Sequence, residues 1–435
     1  MSEHLAFPPA REARGTVRVP ASKSATNRAL LLAALGEEAV EIVGPLESED
    51  TAALAACLLA MGASIERTDE GLSVRGPLGA DRARSAALDA RESGTAARFL
   101  AAVAAAVPGR WSLTGSARLR ERPVGELVAA LREAGARIAY AGEDGFLPLE
   151  IDGGTLAPGE SLRVDAALSG QFLSALMIAG AAMRGAGGLV AAASGRVASE
   201  PYVRLTASML REFGHSVEES GGAWRVAGGR TAIARYAPPG DWSSAAPLLA
   251  AAAIAGGDVR VDGVAWPSAD ADAAAAGVLE SMGVAIAGSP AGVSASAERG
   301  ALRAVTVAAS DFPDAVPALA ACAAFAAGES RFTGIGHLRV KESDRIQALA
   351  EILREAGVEA RAEPDALTVR GGARAGDPLV RRLRTRNDHR IAMSAGLLAL
   401  GLPGLLIENP GCVAKSYPAF WRDLDSLAVR DHGSK

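Results

Sequence analysis

The chain has 435 residues, 49% of them hydrophobic, and a formal net charge of −5. That length predicts two or three domains, or one large repeated architecture, with ample material for a core. The acidic balance excludes a nucleic-acid surface, and the apolar runs are shorter than the ~20 residues that a membrane helix needs.

In chain order, the first notable stretch is "ASKSATNRALLLAAL", Ala21 to Leu35. A charged head precedes a run that is apolar on every side. The pattern returns as "RESGTAARFLAAVAAAV" from Arg91, "LSGQFLSALMIAGAAM" from Leu168 and "GDWSSAAPLLAAAAIAG" from Gly240. It returns again as "DFPDAVPALAACAAFAAG" from Asp311 and "RNDHRIAMSAGLLALGL" from Arg386. The spacing is roughly 70 residues, a repeat period, and each copy predicts about three turns of buried helix.

A second series interleaves with the first: "LAACLLAMGASIE", "LVAALREAGARIA", "LTASMLREFGHSVE", "AAGVLESMGVAIA" and "LAEILREAGVEARA". These read as amphipathic helices closed by Gly62, Gly135, Gly214, Gly283 and Gly357, since glycine is the usual left-handed cap. Strand-like stretches such as "GLSVRG", "GAWRVAGG" and "ALTVRGG" follow. A sixth copy near "FWRDLDSLAV" lacks the glycine. Each unit is thus one buried helix, one amphipathic helix and several strands, which gives an α/β fold.

The buried helices pose a chemical question. Four N-terminal N–H groups and a positive dipole end need partners at each one. Plain capping by Ser, Thr or Asp would satisfy them. The heads hold more than capping requires: Lys23, Ser24, Arg28, Gly94, Thr95, Arg98, Ser169, Gln171, Ser243, Asp314, Asp388, His389 and Arg390. Further cations stand in "RLRERPVGEL" (Arg120, Arg122), "HLRVKESDRIQAL" (Arg339, Lys341, Arg345, beside Glu342 and Asp344) and "NPGCVAKSYP" (Lys415). Helix starts that converge would build a cleft for a ligand with several negative charges. Neither a P-loop nor a dinucleotide fingerprint is present. Cys57, Cys322 and Cys412 are scattered without metal-ligand spacing, as suits a reducing compartment, and the N-terminus has no apolar signal core. A cytoplasmic protein without a metal is expected.

"SKSATNRALLLAAL", "GTAARFLAA", "RERPVGEL", "SGQFLSALM", "SEPYVRLT", "PDAVPALA", "LRVKESDRI", "NDHRIAMSAGLLAL" and "NPGCVAKSYP", in this order from about Val19 to Pro418, resemble the 5-enolpyruvylshikimate-3-phosphate synthase family of enolpyruvyl transferases. The resemblance implies a two-domain inside-out α/β barrel of six repeats, three per domain, with the buried helices pointing their N-termini at the cleft between domains. It implies one domain at 21–239, with most shikimate 3-phosphate contacts, and another at 1–20 plus 240–435. The second would hold Asp314, Glu342 and part of a phosphoenolpyruvate clamp.

The implied reaction moves the carboxyvinyl group of phosphoenolpyruvate to the 5-hydroxyl of shikimate 3-phosphate, the sixth step toward chorismate and the aromatic amino acids, with no cofactor. Lys23, Asp314 and Glu342 are the implied catalytic residues: Asp314 at the ring hydroxyls, Glu342 at the methyl carbon, and Lys23 touching both substrates. Which of the three moves which proton stays open. Shikimate 3-phosphate would meet Lys23, Ser24, Arg28, Ser169, Gly170, Gln171, Ser199, Asp314 and Lys341, with Tyr202 nearby. Phosphoenolpyruvate would meet Lys23, Gly94, Arg122, Gln171, Arg345, Arg390 and Lys415.

Four positions depart from the family pattern: Glu92, Gly170, Glu200 and His337. Gly170 stands where a second serine is common, which removes a hydroxyl from the phosphate site, and a backbone N–H is expected to substitute there. The alternatives are an enolpyruvyl transferase acting on a UDP-amino sugar and a non-catalytic anion-binding relative. The first usually needs a loop cysteine, whereas Cys57 lies in an apolar helix pattern. A monomer acting on small molecules, without nucleic acid or membrane, is expected.

Overall fold

The computed structural model describes residues 3–81, 83–183, 187–373 and 380–430. Two compact units divide the chain: Ala21–Pro238, and the residues up to Pro20 together with those from Pro239 onward.

In the 21–238 unit the three apolar segments form helices Lys23–Leu35, Gly94–Ala106 and Gln171–Ala182. They are buried almost throughout and share one core. Alanine and glycine along them leave room for close approach, so the Gly94 and Gln171 helices pack along their length. The other unit repeats the arrangement with helices Trp242–Ala255, Val316–Ala323 and His389–Gly401, which pack pairwise. Every residue of the Trp242 helix is buried. The Val316 helix is shorter than the three turns its sequence suggests. Pro317 stands in its first turn, where proline favours a helix start, and Asp314 is left in the preceding turn.

In three of the repeats a strand leads through the buried helix into a parallel neighbour, and an antiparallel hairpin follows. Strand Ser85–Asp89 pairs parallel with Gly109–Thr114, which pairs antiparallel with Leu149–Gly153, and Arg137–Tyr140 closes the sheet. The sheet built on Ser161–Val164 and Leu189–Ala193 is ordered alike, as is the one built on Thr306–Ala308 and Glu329–Thr333. A parallel pair needs a crossover of a dozen or more residues, and the buried helix supplies it.

The first sheet of each unit takes its parallel strand from elsewhere. Arg235–Tyr236, at the far end of the 21–238 unit, pairs with Val40–Val43. Glu12–Arg18 pairs with Gly257–Asp262, which ties the N-terminal segment to the unit formed by the later part of the chain. His4–Ala6 does the same on Leu405–Glu408, where the sixth repeat has no hairpin.

The amphipathic helices Glu49–Ala60, Gly125–Glu133, Glu200–Glu212, Ala274–Ser281 and Arg345–Glu355 each precede one of the five glycines named above. Those glycines have φ between +87° and +105°, a backbone that L side chains rarely adopt. The sixth, Phe420–Leu427, runs straight into the short strand Ala428–Val429 and needs no such turn. Among the described residues no helix is long and apolar enough to cross a membrane.

Candidate active site

Within the 21–238 unit the helix heads and the loops beside them form one polar surface. Lys23 is the first residue of its helix, and its Nζ lies 3.1 Å from a carboxylate oxygen of Asp50. Arg28 is one turn deeper and only 2% exposed. It donates through Nε to Thr206 Oγ1 at 2.8 Å, and through its terminal nitrogens to the carbonyls of Ser24 and Tyr202. Burial lowers its pKa to about 10, partly offset by the neighbouring Tyr202 and Tyr236.

Gln171 begins the third helix. Its amide oxygen accepts from Arg98 at 2.6 Å, its amide nitrogen donates to Thr95, and its backbone N–H donates to Ser169 Oγ. Gly170 closes the loop before this helix. Its N–H donates to the Ala198 carbonyl at 3.1 Å. A Cβ there would lie 2.5 Å from the same carbonyl, so a serine at 170 would force this loop apart.

Arg122 differs from all of these. It is 4% exposed, its Nε is buried without a partner, and no acceptor among the described residues takes its side-chain N–H groups. It lies against Gly94, where a Cβ would come within 2.6 Å of the guanidinium carbon and both terminal nitrogens. Gly94 opens the second buried helix, so a buried cation rests at a positive dipole end. Two like charges held together out of water are an arrangement that an anion would relieve.

The other unit answers burial with carboxylates. Arg345, 1% exposed, donates through Nε to Asp388 at 2.8 Å, through one terminal nitrogen to Asp314 at 2.7 Å, and through the other to Glu342 at 2.7 Å. Burial opposes its charge, but the three carboxylates outweigh that and hold its pKa well above the usual value. Asp388 is itself fixed by Ser343 Oγ and by the Arg390 backbone N–H. Arg390 donates to the Ser243 carbonyl and hydroxyl and lies 3.8 Å from Asp314. Lys415 Nζ is 3.4 Å from Glu342. Three cations thus interlock with three carboxylates. Lys341 follows the 3₁₀ turn Gly336–Val340 and is partly exposed, and His337 within that turn is buried. His389 is buried, with Nδ1 3.8 Å from Asp388.

Among the described residues, five that are not glycine adopt positive φ: Arg91, Ser199, Arg386, Asn387 and Asn409. Each stands just before or at a polar helix head, and Asn409 Nδ2 donates to Asn387 Oδ1. Such strain persists where surrounding contacts hold a loop for function. No group of His, Cys, Asp and Glu among the described residues could hold a metal ion.

The EPSP synthase (3-phosphoshikimate 1-carboxyvinyltransferase) family profile matches residues 9–424. The chain belongs to this family. It is 40% identical to the 3-phosphoshikimate 1-carboxyvinyltransferase of Thiobacillus denitrificans, with 98% of this chain and 100% of that one covered. It is 41% identical to that of Syntrophobacter fumaroxidans, covering 95% and 97%. An EPSP synthase structure from Acinetobacter baumannii superposes with a TM-score of 0.78 at 28% identity, covering 98% of each chain. The enolpyruvyl transferase NikO from Streptomyces tendae shares the fold, with a TM-score of 0.76 at 20% identity over 98% of this chain and 97% of its own.

For a member of this family, several contacts of the site escaped the reading of the sequence. Asp50 reads as an ordinary helix-start acid, because Ser48 and Thr51 around it form a capping box. Thr206 and Ser174 lie within helices, where a hydroxyl carries no signal of a distant arginine. Asp388 stands out as a polar head residue, but nothing local ties it to Arg345.

Proposed function

We propose that this chain transfers the carboxyvinyl group of phosphoenolpyruvate to the 5-hydroxyl of shikimate 3-phosphate and releases phosphate. The observation that carries this reading is the Arg345 fork, which holds Asp314 and Glu342 on its two terminal nitrogens. The reaction moves two protons at two places, and one planar guanidinium that orients two carboxylates suits it.

In the proposed sequence, C3 of phosphoenolpyruvate takes a proton while the 5-hydroxyl oxygen bonds to C2 and loses its own. The tetrahedral intermediate then breaks its C2–O bond to phosphate, and C3 gives up a proton to leave the enol ether. Asp314 is proposed to act at the hydroxyl and Glu342 at C3, with Lys23 and Lys415 as further partners in proton transfer. Arg122, Arg345, Arg390 and Lys415 are proposed to hold phosphoenolpyruvate, with Gly94 and Gln171 against it. Lys23, Ser24, Arg28, Ser169, Ser199 and Lys341 are proposed to hold shikimate 3-phosphate. Gly170 would serve there as a close-packed turn. The domains are proposed to divide this labour, with the shikimate 3-phosphate contacts mostly in residues 21–238.

We further propose a monomer working in the cytoplasm. The buried Cys57 and Cys322 thiols, both pushed up to about 12 by burial, suit a reducing compartment and take no part in the chemistry. The decisive assay is phosphate release from phosphoenolpyruvate with shikimate 3-phosphate, set against the same assay with a UDP-amino sugar. Turnover with the sugar alone would overturn the reading.

A further inference from the structure

Arg28 is buried without a carboxylate among the described residues, and its charge is answered by an aromatic face. Its guanidinium carbon lies 5.1 Å from the ring centroid of Phe99. Phe99 comes from the next buried helix and is fully buried. The following helices repeat the device, with Arg98 lying 5.1 Å over the Phe172 ring. Each of the first two helices thus lends an arginine to the phenylalanine of its successor.

The hydrogen bonds of Arg28 explain what the ring adds. Thr206 Oγ1 and the carbonyls of Ser24 and Tyr202 use three of its five N–H groups and restrain the guanidinium in its own plane. Two N–H groups, one on each terminal nitrogen, are left over, which matches the fork that a carboxylate needs. In-plane bonds restrain tilting out of the plane poorly. The ring packed on one face does so, and its negative π face favours the cation at the same time.

We propose that Phe99 is a positioning residue for shikimate 3-phosphate: through Arg28 it sets the angle at which the guanidinium meets the ligand's carboxylate. This rests on the reading that Arg28 binds that carboxylate. Phe99 acts on binding of one substrate, so it should affect neither phosphoenolpyruvate nor the chemical step.

The test compares wild type, Phe99→Leu and Arg28→Ala. Dissociation constants are measured for shikimate 3-phosphate and for its methyl ester, which lacks the carboxylate charge. Steady-state kinetics and a melting curve accompany each protein, and Phe99→Met replaces Phe99→Leu if the latter does not melt cooperatively. Phe99→Leu is expected to weaken shikimate 3-phosphate binding about fivefold to tenfold, while KM for phosphoenolpyruvate and kcat stay within about twofold. The methyl ester should bind equally well to wild type and Phe99→Leu. If Arg28→Ala loses affinity while Phe99→Leu keeps it, the proposal falls and the reading of Arg28 stands. If Arg28→Ala keeps full affinity for shikimate 3-phosphate, the reading of Arg28 falls and takes the proposal with it. A Phe99→Leu penalty that is equal for acid and ester also overturns the proposal, because the ring would then act on general packing.

Discussion

Arg122 in the 21–238 unit and Arg345 in the other unit are both almost fully buried, yet they are treated in opposite ways. Among the described residues Arg122 has no acceptor and rests on a helix N-terminus, and Arg28 in the same unit is held by neutral oxygens and a ring. Arg345 is gripped by three carboxylates. A cation left unsatisfied stores affinity for an incoming anion. A cation already satisfied by carboxylates orients those carboxylates instead. The difference accords with the proposed division of labour, in which anion capture is weighted to the first unit and proton transfer to the second. Lys23, paired with Asp50, is the exception in the first unit.

The largest expected effect comes from neutralising the two arginines in parallel. Arg345→Gln takes the guanidinium from the buried Asp388 and the partly buried Asp314 and Glu342, and should cost about 3–5 kcal/mol of stability. Arg122→Gln strands nothing, so its melting temperature should hold or rise while KM for phosphoenolpyruvate climbs sharply. Denaturant melts of both proteins check this, and equal stability losses would erase the contrast between the units. Phosphate ion should raise the melting temperature of wild type more than that of Arg122→Gln, since only the former keeps the empty cation.

Lys23→Met tests the exception. It removes a charge proposed to touch both substrates and leaves Asp50 buried alone. Turnover should fall by about a hundredfold or more. A variant that retains half its activity would mean that the first helix head has been misassigned.

Acid should pull the units in opposite directions. In the first, burial lowers the His215 pKa to about 4, so the folded protein resists a proton that the unfolded chain accepts. Stability present above pH ~6.5 is therefore lost as pH falls toward 4, by on the order of 3 kcal/mol. In the second, burial, with Asp241 adding to it, raises Asp270 to about 6. That carboxyl binds its proton more tightly when folded, so it adds stability as pH falls through 6. Hydrogen exchange read unit by unit between pH 7 and 4 should show the first unit loosening relative to the second. His215→Gln and Asp270→Asn should each flatten one of the two trends.

Gly94→Ala is a subtler probe of the empty cation. The new methyl would press on the Arg122 guanidinium, the flexible end of a side chain, so the helix survives while the anion site narrows. A phosphoenolpyruvate analogue longer by about one bonded atom should lose more affinity than the substrate. Inhibition curves at fixed phosphoenolpyruvate decide this, and equal sensitivity in the two proteins would place Gly94 outside the pocket. The smallest effect is expected from Cys412→Ser, which should keep most activity because no step needs a thiolate. A thousandfold loss of kcat in a folded variant would sink the mechanism.

The candidate site was legible as a set of side chains and largely illegible as a set of contacts. Lys23 stands out because charge at the head of a wholly apolar helix is unusual, and Arg122 and Arg345 because they fall in charged clusters just before or at the start of amphipathic helices. Sequence alone does not separate the arginine that lacks a partner from the one that has three, since both lie in similar loops rich in charge. Gly170 carries the same lesson: the residue type is visible, but the carbonyl that uses its N–H comes from Ala198.

By itself, the sequence determined the six buried helices, the amphipathic helices and the glycine turns that close five of them. Those features depend on period and composition, which are local, and on a backbone conformation that glycine alone adopts cheaply. Tertiary structure decided which strand completes each unit's first sheet, and which charges meet. Arg345 finds Asp314 31 residues away and Asp388 43 residues away, and Arg28 finds Phe99 on a different helix. Such pairings arise only when packing brings distant helix heads together. A desolvated charge then depends on whatever neighbour the fold provides: a carboxylate for Arg345, a ring for Arg28, and for Arg122 the anion it is proposed to bind.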